Sequence, residues 1–106
     1  WHHGEGWCQE RYMPLLADYT GRLEKIPFDF HELIAALAPR KVYVSAPLND
    51  DNFKWESVDR IAEAARPVFK LLGPADALRI EHPDTNHDFA GKQRESAYRL
   101  ITAVLT

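Results

Sequence analysis

The feature that most constrains this 106-residue chain is a long apolar stripe set between two short β-branched runs. Val58, Ile61, Ala62, Ala65, Val68, Phe69 and Leu72 recur at spacings of three and four, which places them on one face of a helix over residues 55–72, and Gly73-Pro74 supplies its stop. Pro67 falls inside the pattern and predicts a bend. Before the stripe, residues 41–46 (Lys-Val-Tyr-Val-Ser-Ala) read as a strand without strict alternation; after it, residues 78–82 (Leu-Arg-Ile-Glu-His) read as a second. A strand, an amphipathic crossover and another strand form a β-α-β unit, so the two strands are expected to run parallel.

Two more helices flank this unit. Asp29 followed by Glu32 forms a capping-box pattern, Phe30, Leu33, Ile34 and Leu37 then share a face, and Pro39 ends a helix over 29–38. A last helix over 92–105 gathers Ala97, Tyr98, Ile101, Val104 and Leu105 on one side. Residues 1–28 read as an irregular loop or cap segment, with a short helix between Arg11 and Tyr19 interrupted by Pro14. The expected fold class is α/β, with residues 29–106 as one domain. Three amphipathic helices around two short parallel strands leave a sheet edge open and too little surface for the helices to bury. More sheet is therefore expected elsewhere, in missing chain or in a partner.

Charge narrows the range of functions. Thirteen Lys and Arg against sixteen Asp and Glu leave a net charge of −3 with no basic cluster, which argues against a nucleic-acid partner. The longest apolar run, Leu33 to Ala38, is far too short for a helix that spans a bilayer. A lone cysteine, Cys8, makes no internal disulfide, and the spacing of His2, His3, Cys8 and His31 fits no zinc pattern, so neither metal nor cofactor is expected. No signal-peptide pattern is present, and the chain starts at Trp1, as a piece of a longer protein would; the compartment stays open.

In open α/β sheets, ligands gather beyond the carboxyl ends of the strands. Asp50 lies four positions past Ala46 and His87 five past His82, so the loops leaving two parallel strands would bring a carboxylate and an imidazole together. Asp51, one residue on, is the alternative acid. An acid beside a histidine is the geometry of a carboxylate orienting an imidazole, and none of Ser45, Ser57 and Ser96 has glycine two residues before or after it. Cys8 has Gly6 before it but Glu10 after it. Asp50 and Asp51 also suit a plain turn, and His87 a surface loop. Trp1, Trp7, Tyr12 and Met13 suit either a pocket lining or ordinary packing.

The stretches Ile26–Leu33, Leu37–Arg40, Ser45–Phe53 and His82–Phe89 together resemble the C-terminal part of an α/β-hydrolase, in the branch of acetyl xylan esterases and dienelactone hydrolase-like enzymes. Asn86 departs from the glycine that many relatives carry before the histidine. The resemblance implies that Asp50 is the acid and His87 the histidine of a Ser-His-Asp triad, that the serine lies in an upstream segment, and that the substrate is a carboxylic ester such as an acetylated carbohydrate. This chain alone would then be inactive. Two other readings stay open: a non-catalytic hydrolase-derived domain that pairs with a partner through its open sheet edge, and a small β-α-β domain that binds a ligand at its strand ends.

Overall fold

The structure, a computed structural model, describes residues 10–106. Its elements are α1 (Pro14–Ala17), a 3-10 turn (Leu23–Lys25), α2 (Phe30–Ala35), β1 (Val42–Ser45), α3 (Trp55–Leu72), a second 3-10 turn (Ala75–Ala77), β2 (Leu78–Glu81) and α4 (Gly91–Leu105). β1 and β2 pair in parallel, Val42 opposite Leu78 and Ser45 opposite Glu81, as the β-α-β pattern requires. Among the described residues no helix is long and apolar enough to cross a membrane.

Local chemistry explains the boundaries. α2 starts as a capping box: the Asp29 carboxylate accepts from the Phe30 N–H at 2.6 Å while Glu32 Oε2 accepts from the Asp29 N–H at 2.7 Å. The helix stops at Ala35, three residues short of its expected end, and the chain continues in tight turns in which the Leu37 and Ala38 N–H groups bond Ile34 and Ala35. Pro14 opens α1 where an interruption was expected, since a proline at the first helical position removes no bond the helix would have made. α3 fills its whole expected range and runs on through Pro67.

The core sits where α3 crosses the sheet. Ala62, Ala65, Phe69, Ala77 and Leu78 are buried together, with Ile34, Ala35, Ala38, Val42 and Ile80 packed around them. Small alanines on α3 let the helix approach closely, so Phe69 and Leu78 are the largest fully buried side chains. Val42, Leu78 and Ile80 point to this side of the sheet. Tyr43 and Glu81 point to the other, where the Tyr43 hydroxyl donates to Glu81 Oε2 at 2.6 Å and Ser96 of α4 joins them. Burial, then the bond to Glu81, pushes the Tyr43 phenol up to about 12.

α4 departs from expectation. The face predicted to be its core side is largely exposed, with Tyr98, Ile101, Val104 and Leu105 open to solvent, while Gln93 and Ser96 are its buried residues. Leu71 and Leu72 at the end of α3 are exposed as well. The described chain offers these apolar side chains nothing to pack on.

Candidate active site

Both strands run toward the same rim, and the loops that leave them are joined there. Past the sheet, the Leu48 N–H donates to the Pro83 carbonyl at 3.0 Å, the Asn49 N–H to the Thr85 carbonyl at 3.1 Å, and the Asn49 amide to Asp84 Oδ1 at 2.7 Å. The parallel ladder thus continues into the loops and carries their tips to each other.

At those tips Asp50 and His87, 37 residues apart in sequence, meet: His87 Nδ1 lies 2.9 Å from Asp50 Oδ2. The other carboxylate oxygen, Oδ1, accepts from the backbone N–H groups of Asn52 at 2.8 Å and Phe53 at 3.1 Å. The loop turns around the carboxylate, which explains both its fixed position and its burial; the Asp50 side chain is 5% exposed, against 58% for His87. Burial by itself would raise the Asp50 carboxyl. The bond from His87 and the two backbone N–H groups outweigh it and hold the carboxyl below its ordinary value.

An ionised carboxylate only accepts, so Nδ1 of His87 donates to it, which leaves Nε2 as the nitrogen not bonded to Asp50. Phe53 stacks on the ring at 5.8 Å between centroids, with the two planes 29° apart. A cavity of about 450 Å³ opens beside the pair, lined among others by Ser45, Phe53, Val58 and Phe89. A larger one, about 670 Å³, lies between α2, α3 and the segment before them, and it contains neither Asp50 nor His87. The smaller cavity is the one at the strand ends, where the acid and the imidazole are.

Of the two candidate acids, it is the Asp50 carboxylate that meets the ring; Asp51 points into solvent. Among the described residues no serine hydroxyl bonds His87. Ser57 accepts from Arg60 at 2.7 Å, Ser96 on the buried side of α4 accepts from Arg99 at 3.4 Å, and the Ser45 hydroxyl is buried without a partner. Of the possible metal ligands, His2, His3 and Cys8 lie outside the described residues, as do Trp1 and Trp7, while His31 stands 3.7 Å from Asp29. Tyr12 and Met13 are exposed. The sequence reading missed Phe53, and it missed His82 and Asp59, which lie 2.9 Å apart behind the pair. A histidine ending a strand and an aspartate on a helix carry no signal by spacing alone.

The sequence profile of the fungal glucuronyl esterases matches residues 3–73, more than half of the chain. The chain belongs to the fungal glucuronyl esterase family. The matched span holds α1 to α3 and Asp50, and ends before β2 and His87. Membership ties the chain to carboxylic ester hydrolases. Comparisons with curated proteins and with solved structures gave no match.

Proposed function

We propose that this chain supplies the acid, Asp50, and the general base, His87, of a Ser-His-Asp site that hydrolyses carboxylic esters within an α/β-hydrolase fold. The observation that carries the proposal is the 2.9 Å contact between His87 Nδ1 and Asp50 Oδ2. Family membership supports ester hydrolysis, and since these 106 residues hold no G-x-S-x-G, the proposal takes the serine from other polypeptide. The open sheet edge and the exposed apolar face of α4 are where that polypeptide would pack.

In this site Asp50 holds the Nδ1–H of His87 and stabilises the imidazolium as it forms. Nε2 takes the proton of the serine hydroxyl as the oxygen attacks the ester carbonyl, then returns it to the departing alcohol. A water molecule repeats the sequence on the acyl-enzyme and frees the acid.

The family name points to an ester of glucuronic acid, in which the sugar is on the acyl side. The motifs resemble enzymes of acetylated carbohydrates, in which the sugar is the alcohol. Full-length protein given a chromogenic glucuronate ester and an acetylated xyloside separates the two, since fold alone does not choose the substrate. The glucuronate ester is expected to turn over faster, and His87→Ala to cost about four to six orders of magnitude in kcat. Faster turnover of the acetyl ester would move the substrate to the other branch, and full turnover by His87→Ala would end the proposal.

A further inference from the structure

His82 is the first residue past β2. Its Nδ1 lies 2.9 Å from the Ala46 carbonyl and its Nε2 2.9 Å from Asp59 Oδ1, and Trp55 meets its ring edge-to-face with centroids 5.2 Å apart. The carbonyl and the carboxylate both only accept, so each ring nitrogen donates where it bonds its partner, and the two contacts set the ring orientation. Each partner has a place relative to the site. Ala46 begins the loop that carries Asp50; Trp55 and Asp59 lie in the first turns of α3, into which that loop returns; His82 itself begins the loop that carries His87. One imidazole thus holds the entry and exit of the acid's loop and the root of the base's loop. The Leu48–Pro83 and Asn49–Thr85 bonds transmit that hold to the tips.

We infer that His82, with Asp59, is a positioning residue for the Asp50–His87 pair, an inference that builds on the esterase reading above. The His82 side chain is 26% exposed and Asp59 41%, and neither bonds the reacting pair. Their effect is on where the two loops stand. A displacement of about 1 Å at reacting groups is enough to cost on the order of 100-fold in rate.

The test uses full-length protein. Asp59 is half exposed on a helix, so Asp59→Ala removes the contact without opening the core, and His82→Gln removes it from the other side. Both are expected to lower kcat on the glucuronate ester about 10- to 100-fold with KM unchanged, and to broaden or shift the NMR signal of the His87 Nδ1–H. Asp59→Asn keeps a side chain that hydrogen-bonds Nε2 and is expected to recover most of kcat. An unaltered His87 signal and wild-type kcat in both Asp59→Ala and His82→Gln would overturn the inference, as would an Asp59→Asn as impaired as Asp59→Ala. Failure of the esterase reading looks different: His87→Ala would keep full turnover while Asp59→Ala still disturbed the His87 signal.

Discussion

The Asp50 side chain is almost wholly buried while its partner ring stays open, and in the proposed site this asymmetry divides their roles. The buried carboxylate is held by two backbone N–H groups and meets one ring nitrogen; in the proposed site the other nitrogen of the exposed ring is the one that transfers the proton. The same bonds make a pH prediction. The native Asp50 carboxyl is held below its ordinary value of 3.8, so the folded chain binds this proton less readily than the unfolded chain does. Its contribution to stability is therefore fully present above 3.8 and is lost as the pH falls below that value. Unfolding of wild type against Asp50→Asn is expected to show a stability gap that is present at neutral pH and closes only in acid. A gap that closes near neutrality would place the carboxyl above its ordinary value and contradict the bonding described.

At the scale of elements, the end of α3 is set by a close approach. A Cβ at Gly73 would stand 2.8 Å from Cβ of Pro39, a ring atom that cannot rotate away, while the Gly73 backbone itself is extended and unstrained. Gly73→Ala is expected to cost about 1–3 kcal/mol by overpacking. Gly91, in the first turn of α4, has only the far end of Arg94 near it, and Gly91→Ala is expected to be neutral or to stabilise by up to about 1 kcal/mol. Thermal unfolding reads both, and equal midpoints for the two variants would refute the steric account. The readable parts of the fold were those where periodicity and stop signals agree, as in α3 between its polar turn and Gly73-Pro74. α2 ended early because Leu37 and Ala38 turn toward Pro39 although they continue the apolar spacing. On α4, spacing identified an apolar face but could not say whether the chain holds anything to cover it; Ile101 and Leu105 are exposed. The meeting of Asp50 and His87 was readable because both follow strands of one parallel pair. His82 and Asp59 were not, because a strand-end histidine and a helix-surface aspartate look like ordinary positions until the fold joins them.

For the whole molecule, the proposed function makes the arrangement half of a reaction centre. An imidazole beside a carboxylate lines a cavity and, among the described residues, the two parallel strands have an unpaired edge and the apolar face of α4 is exposed. Each of these is accounted for if serine-bearing polypeptide packs against this unit and brings its hydroxyl to His87 Nε2. The direct test is the rate at which a fluorophosphonate labels the active serine of the full-length protein, because that step needs the nucleophile activated but no particular substrate. Labelling is predicted to be fast in the wild type and in Asp51→Asn, slower by about four orders of magnitude in Asp50→Asn, and undetectable in His87→Ala. Equal labelling rates in wild type, Asp50→Asn and His87→Ala would show that this pair does not activate the serine.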